Sequence, residues 1–398
     1  MKRWFAFGLG VLLAGCGSSP TLEPPTPLME LEQPLEIETA WVRHVGGGAG
    51  HDFLRLRPVV GEEAVYGAER NGRVFAFGLA TGRELWRKSL AVVITSGLSV
   101  TDDKILLGTG KGEVLMLASK DGSELWRTVV TSEVLSPPQL ADGVVVVRTV
   151  DGRVFGISAA DGRRLWVYDR GVPLLTLRGT GTPVIDSGVV LAGFDDGKLV
   201  ALTLNEGTPL WEAVIATPSG RTELERMVDL DGDPVVANGV AYVTTYQGRI
   251  AAVRLDSGRL LWAREGSSYA GLTLDSGRVY VSTADGEVVA MDRASGTALW
   301  TQKDLRYRAL SAPVRHRGFV VVGDLEGYVH WLSAEDGSLV ARTRVQDTED
   351  VFREYDPPPF YDAYEQRRDI LATPVAAGES VLIMDRRGVL ALARVTQQ

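Results

Sequence analysis

The feature that most constrains the fold of this 398-residue chain is a repeated spacing of two glycines and a tryptophan. In each repeat a second glycine follows the first by ten positions, and a tryptophan follows four positions later. Such a periodicity, at about 40 residues, is typical of proteins built from stacked supersecondary units. Seven segments have this spacing, and only the last replaces the tryptophan: Gly72/Gly82/Trp86, Gly112/Gly122/Trp126, Gly152/Gly162/Trp166, Gly197/Gly207/Trp211, Gly248/Gly258/Trp262, Gly286/Gly296/Trp300 and Gly327/Gly337/Ala341.

The residues between these markers predict four short strands per repeat. A proline or leucine lies fourteen residues before each first glycine and begins two short apolar runs. Turn pairs such as Asn71-Gly72 suit a tight hairpin, because glycine adopts the positive φ that such turns need. A strand such as Arg73–Phe77 alternates in polarity, and a further strand ends in Leu-Trp. Four antiparallel strands in about 40 residues indicate one propeller blade, with the tryptophan filling the core between blades.

The two ends of the chain predict how the ring closes. An eighth unit begins at Pro374 and reaches Gly388, but the sequence ends at Gln398, where its fourth strand is due. The segment Glu38–Trp41 resembles that Leu-Trp strand. We therefore expect an all-β protein, an eight-bladed β-propeller of four-stranded antiparallel blades over residues 37–398. In this arrangement the N-terminal strand pairs with the C-terminal hairpin and closes the ring.

The N-terminus has the pattern of an export signal. Lys2 and Arg3 precede a short apolar run that is too short to span a bilayer as a helix. Leu13-Ala14-Gly15-Cys16 then looks like a bacterial lipobox, and Cys16 is the sole cysteine. We expect a signal peptide at 1–15, acylation of Cys16 and a flexible tether over 16–36. The alternative is a plain secretory peptide with an incidental cysteine. Glycine at position 17 favours the outer membrane, because inner-membrane lipoproteins usually resemble an aspartate-after-cysteine pattern.

Composition argues against several other functions. The formal net charge of −9 disfavours binding of nucleic acid, and one cysteine excludes an internal disulfide. The four histidines, His44, His51, His316 and His330, show no ligand spacing. The run from Asp229 to Asp233 has its glycine at the wrong position for a calcium loop. Without a nucleophile–base pair, the sequence predicts no catalytic, metal or cofactor site.

Variation in length is concentrated between the repeats, on one face of the predicted disc. Repeat proteins commonly place such insertions on the binding face. Leucines beside Arg178 in the first connection, together with an acidic cluster in the second, suggest protein docking. The alternative is that the leucines pack under the loop and the charges are solvated. The third connection is either a second contact or a lid over the channel. The three long connections are residues 167–182, 212–233 and 342–373.

The Gly-Gly-Trp repeat resembles the blades of pyrroloquinoline-quinone-dependent dehydrogenases. Those enzymes hold the quinone with calcium, and many have a pair of adjacent cysteines that this chain lacks. A closer resemblance is to the BamB family, the propeller lipoproteins of the outer-membrane β-barrel assembly machinery. The segment Leu175–Gly179 is similar to the Leu-Ser-Leu-Arg-Gly loop of that family, and Asp229–Asp231 matches its Asp-x-Asp loop. Two departures are Ala341 in place of tryptophan and the long 342–373 insertion.

The resemblance implies a non-catalytic scaffold at the periplasmic face of the outer membrane. Its implied partners are the periplasmic domains of BamA, the central barrel subunit, and other subunits of the machinery. Unfolded outer-membrane proteins in transit are a further candidate partner. The alternatives are a periplasmic quinoprotein dehydrogenase-like enzyme and a ligand-sensing propeller. The family's BamA-binding role is carried over to five residues: Leu175, Leu177, Arg178, Asp229 and Asp231.

Overall fold

The computed structural model confirms the eight-bladed propeller. It describes residues 23–32, 34–50, 54–173, 175–177, 180–222, 224–345 and 369–396. Within these ranges the chain forms eight sheets, each of four antiparallel strands, and no helix. No helix that could cross a membrane occurs in the described residues. The predicted signal peptide, Cys16 and most of the 342–373 insertion lie outside the described ranges.

Each of the first four blades is a run of four consecutive strands, hydrogen-bonded in chain order. An earlier strand, β1 (Ile37–His44), belongs to the last blade. Blades 1 and 2 are β2 (Val59–Val60), β3 (Ala64–Ala68), β4 (Arg73–Gly78) and β5 (Glu84–Ser89), then β6 (Ser99–Thr101), β7 (Lys104–Gly108), β8 (Glu113–Ala118) and β9 (Glu124–Val129). Blades 3 and 4 are β10 (Gln139–Ala141), β11 (Val144–Arg148), β12 (Arg153–Ser158) and β13 (Arg164–Asp169), then β14 (Val184–Asp186), β15 (Val189–Gly193), β16 (Lys198–Thr203) and β17 (Pro209–Val214).

The second half of the ring follows the same order until the last blade. Blades 5 and 6 are β18 (Val235–Ala237), β19 (Val240–Thr244), β20 (Gly248–Arg254) and β21 (Leu260–Gly266), then β22 (Gly271–Leu274), β23 (Arg278–Ser282), β24 (Val288–Asp292) and β25 (Ala298–Gln302). Blade 7 is β26 (Val314–His316), β27 (Phe319–Gly323), β28 (Tyr328–Ser333) and β29 (Leu339–Arg344). Blade 8 contains β30 (Val375–Ala377), β31 (Ser380–Met384) and β32 (Val389–Val395), completed by β1.

Ring closure occurs where the sequence predicts it. Strand β1 pairs antiparallel with β32, from Ile37 opposite Val395 to His44 opposite Val389. A bulge between Thr39 and Trp41 interrupts the register. The closing strand is longer than the predicted 38–41 segment, and it joins the two ends of the propeller in one sheet.

The tryptophans lie in the seams between blades, as predicted. In the seam between blades 4 and 5, the Trp211 indole donates a hydrogen bond of 2.8 Å to the Leu255 carbonyl. The ring covers Gly258, whose φ is +67° and where a Cβ would lie 2.6 Å from the ring. Only glycine fits such a position. Seven seams share this arrangement, and it explains why the second glycine and the tryptophan recur together.

The eighth seam, between blades 7 and 8, explains the exception at Ala341. The third and fourth strands of blade 8, β32 and β1, come from opposite ends of the propeller, so no turn joins them and no turn glycine lies there for a tryptophan to cover. Ala341 instead lies opposite Trp331 of the neighbouring strand, and both are fully buried. In five other blades the residue opposite the tryptophan is alanine or glycine. The large side chain has therefore moved to the adjacent strand, where it packs among Ile370, Ile383 and their neighbours.

Candidate functional site

The two long connections that flank blade 4 lie side by side, as expected from their positions in the repeat. The Leu177 amide in the first connection donates to the Asp229 carboxylate in the second. A second link of the same kind runs from the Thr182 amide to Asp233, at 2.7 Å. These bonds join the two connections into one surface above blades 4 and 5.

Of the leucines predicted to contact a partner, Leu175 is exposed and Leu177 is half-buried. Leu177 lines a pocket of about 430 Å³ beside the joined connections. Tyr246, Tyr269 and Leu310 form other parts of its wall. Arg178 lies outside the described residues. The surface thus combines an exposed leucine with an adjacent apolar pocket.

The predicted acidic residues are placed differently from either sequence-based interpretation. Asp229 and Asp231 are 0% and 2% exposed, so they are neither solvated nor offered directly at the surface. The connection turns inward because Tyr246 donates from its amide to the Asp229 carbonyl, at 2.9 Å. Leu230 then packs against Gly193, where a Cβ would lie 2.6 Å from the Leu230 Cβ. The two carboxylates are held beneath the surface that the connections form.

Two further charged residues lie in this buried environment. Arg148 and Asp195 form an ion pair of 2.7 Å, with side chains 1% and 6% exposed. Burial raises the pKa of Asp229 to about 7, against the opposing hydrogen bond from the Leu177 amide, and the charges of Asp231 and Asp195 raise it further. Burial also raises the pKa of Asp231 to about 6, although the positive charge of Arg55 opposes the shift. Near neutral pH the Asp229 carboxyl is therefore partly protonated.

Sequence reasoning missed Arg148, Asp195 and Arg55. Arg55 donates 2.7 Å to the Tyr269 carbonyl and so links an early loop to the pocket wall. Arg148 had a detectable signal, since it directly follows four valines in a strand whose every residue is buried. A buried arginine requires a partner of opposite charge, but the sequence does not indicate that Asp195, one blade away, supplies it.

Two of the four histidines are buried within the propeller, each beside an oxygen atom. His330 is fully buried, and its Nε2 lies 2.9 Å from the Asp324 carboxylate. His316 Nε2 lies 3.1 Å from the Gly378 carbonyl. His44 is exposed, and His51 lies outside the described residues. Within the described ranges no group of three or more histidine, cysteine, aspartate or glutamate side chains is arranged to hold a metal ion.

Comparisons with known proteins agree on one family. Residues 70–302 and 284–361 match the family described as outer membrane protein assembly factor BamB. The factor of that name from Pseudomonas aeruginosa is 46% identical over 345 residues, covering 86% of this chain and 91% of the relative. The one from Escherichia coli is 35% identical over 350 residues, covering 85% of this chain and 89% of the relative.

Solved structures give the same picture of the fold. BamB from Moraxella catarrhalis superposes with a TM-score of 0.78 at 26% identity, covering 90% of this chain and 100% of that one. Quinohemoprotein alcohol dehydrogenase from Comamonas testosteroni has a TM-score of 0.67 at 12% identity, covering 91% and 78%. The second likeness is one of fold alone.

Proposed function

The chain belongs to the family of outer membrane protein assembly factor BamB, and from that premise we propose that it is a scaffold that binds the periplasmic domains of BamA. In this role it assists the insertion of β-barrel proteins into the outer membrane. The family is named for assembly and not for a catalysed reaction, in agreement with the prediction that the chain is not an enzyme.

The observation that carries the proposal is the surface formed by the two connections of blade 4. Leu175 is 43% exposed there, next to the pocket that Leu177 lines. Protein interfaces obtain most of their affinity from a few apolar anchors that insert into well-packed pockets. An exposed leucine beside an apolar pocket can both insert into a partner and receive one of its side chains.

Asp229 and Asp231 are buried, so they do not act on a partner as exposed charges. The Asp229 carboxylate holds the backbone at Leu177, so its loss removes one of the two links between the connections. We assign Asp229 a positioning role, Asp231 a place in the wall of the pocket, and Leu175 and Leu177 a contact role. Arg178 keeps the contact role that the family resemblance implies.

The lipoprotein features complete the proposal. Acylation of Cys16 anchors the protein at the periplasmic face of the outer membrane, since several acyl chains at about 0.8 kcal/mol per buried CH₂ give stable attachment. Other subunits of the machinery and unfolded outer-membrane proteins are its further proposed contacts.

The test is binding of the full-length lipoprotein, in detergent, to the periplasmic region of BamA. We expect Leu175→Ala to weaken binding at least tenfold, which corresponds to about 1.4 kcal/mol. Arg178→Ala and Asp229→Ala should also weaken it. Leu125→Ala is the matched control, because Leu125 is an exposed leucine, at 52%, on a strand remote from the connections. If Leu125→Ala and Leu175→Ala have the same effect, or if the unaltered protein does not bind, the proposed interface is wrong.

A further inference from the structure

The segment before β1, which its composition suggests is a flexible tether, is fastened to the propeller. The Thr26 amide donates 3.0 Å to the Arg306 carbonyl, in the connection between blades 6 and 7. Arg308, in the same connection, donates 2.8 Å to the Thr26 carbonyl. Leu28 packs against the apolar core between these blades. The amide and carbonyl of Thr26 and the side chain of Leu28 are thus all held at the boundary between blades 6 and 7.

The contacts continue along the outer strand of blade 7. Arg342 donates 2.9 Å to the Met29 carbonyl. The Leu35 amide donates 2.8 Å to the Val340 carbonyl, two residues before β1 begins. The described part of the segment therefore follows the rim of blade 7 from the connection to the ring closure.

The sequence of the segment favours this docking. Three prolines at 24, 25 and 27 limit the unfolded chain to extended conformations, so less entropy is lost when it is fixed. Burial also separates two sets of side chains. The half-buried ones include Thr26, Leu28, Leu31 and Leu35, and the exposed ones include Met29, Glu30 and Glu32.

The contact at Thr26 involves a buried side chain of the propeller, Arg308. Its side chain is 2% exposed, and it pairs with Asp324 at 2.7 Å and also with Glu326. This buried guanidinium donates a further hydrogen bond to the Thr26 carbonyl. A buried donor without a partner is costly, so the segment completes the environment of Arg308. Leu310, two residues after Arg308 in the same connection, lines the same pocket as Leu177, so the segment is fastened to a connection that also forms part of the candidate partner site.

We propose that residues 23–36 are a docking strap that brings the lipid anchor to the rim of blades 6 and 7, on the face that holds the candidate partner site. This inference rests on the proposed acylation of Cys16. At about 3.5 Å per residue, the chain from Cys16 to Thr26, the first fastened residue, spans at most about 35 Å, whereas a free chain from Cys16 to Ile37 would reach about 70 Å. The strap therefore orients the propeller, with this rim within about 35 Å of the membrane.

The experiment uses the full-length lipoprotein in phospholipid vesicles and a matched pair of substitutions in the strap. Leu28→Asp places a charge at the buried contact, and Met29→Asp places the same charge at the neighbouring residue, which is 56% exposed. Neither residue lies in a blade, so the propeller should stay folded. Hydrogen exchange at the Thr26 and Leu35 amides reports docking directly. We expect exchange at least tenfold faster in Leu28→Asp than in the unaltered protein or Met29→Asp.

Energy transfer to labelled lipids measures the orientation. Since Cys16 is the sole cysteine, Lys303→Cys beside the strap and Thr131→Cys on the far side of the ring each provide one labelling position. We expect stronger transfer from position 303 than from 131, and a loss of that difference in Leu28→Asp only. Unprotected Thr26 and Leu35 amides in the unaltered protein, or identical behaviour of the two Asp variants, would overturn the strap.

A Cys16→Ser variant separates the two proposals. If it still binds vesicles like the unaltered protein, the proposed acylation is wrong and so is the limit of about 35 Å. Hydrogen exchange at the strap still decides whether the segment docks.

Discussion

The seams between the blades and the junction beneath the connections of blade 4 are both buried, but they treat polar groups in opposite ways. In the seam between blades 3 and 4, the Trp166 indole donates 2.8 Å to the Leu204 carbonyl, and its ring covers Gly207. In the junction, one oxygen each of Asp229 and Asp231 makes no hydrogen bond with a described residue. Seven seams repeat one contact in which the indole N–H is hydrogen-bonded, and this contact stabilises the ring. The junction occurs once, and its charges depend on pH, so we assign it to function.

Breaking a seam should have the largest effect on stability. Trp166→Ala removes a side chain that is 8% exposed, together with its hydrogen bond to the next blade. We expect the free energy of unfolding to fall by about 3–5 kcal/mol, from the cavity and the unpaired carbonyl. Denaturant unfolding measures this loss. Leu165→Ala is the control, because Leu165 is 39% exposed. It should change the free energy by less than about 0.5 kcal/mol, and equal effects would contradict the seam's role.

The same contrast explains how much the sequence predicts. Seven seams can be predicted because each repeats the same glycine and tryptophan. The spacing therefore predicts eight blades, and the likeness of Glu38–Trp41 to a Leu-Trp strand predicts the ring closure. The proximity of the two connections also follows, since both flank blade 4. The burial of Asp229 does not, because it depends on an inward turn that packs Leu230 against Gly193. The strap was missed because a proline-rich, polar segment has the composition of a linker, and only the structure shows Arg308 meeting Thr26.

Changing pH should perturb the junction and leave the seams intact. The pKa of Asp229 is about 7 in the folded protein, above the value of about 3.9 expected in the unfolded chain. Asp229 therefore stays protonated to a higher pH in the folded state than in the unfolded chain. The free energy of unfolding consequently falls as pH rises from about 4 to about 7. Asp229→Asn removes this titration and retains an oxygen for the Leu177 amide. Between pH 5 and pH 7 we expect the unaltered protein to lose about 2 kcal/mol more than the variant.

Denaturant unfolding at the two pH values gives this difference. Asp161→Asn serves as the control, because Asp161 is exposed and its pKa is lowered by hydrogen bonds from Ser158 and the Arg163 amide. That substitution should not reduce the loss of stability between pH 5 and pH 7. If Asp229→Asn loses as much stability as the unaltered protein, the Asp229 carboxylate is ionised throughout the range and the junction is not pH-dependent.

The smallest effect is expected in the eighth seam, between blades 7 and 8. It tests whether the tryptophan can be moved there to the fourth strand, where the other seams have it. Trp331→Ala and Ala341→Trp each disturb a fully buried pair, whereas the double variant restores the order found in other blades, with the tryptophan on the outer strand. We expect the double variant to be more stable than the sum of the single changes predicts, by about 1 kcal/mol. A double-mutant cycle in denaturant measures this coupling. Rescue should be incomplete, because the new ring meets Leu35 and Ile37, which pack against this core, and not a glycine.

The opposite exchange in blade 4 is the matched control. Ala201 lies opposite Trp211, so Ala201→Trp with Trp211→Ala moves the large side chain from the fourth strand to the third, where blade 7 has it. There the exchange uncovers Gly258, the residue against which the Trp211 ring packs, and leaves the Leu255 carbonyl without its donor. We therefore expect no rescue in blade 4. Equal coupling in both blades would mean that total volume alone matters, and that the glycine turn of the next blade does not determine which strand carries the tryptophan.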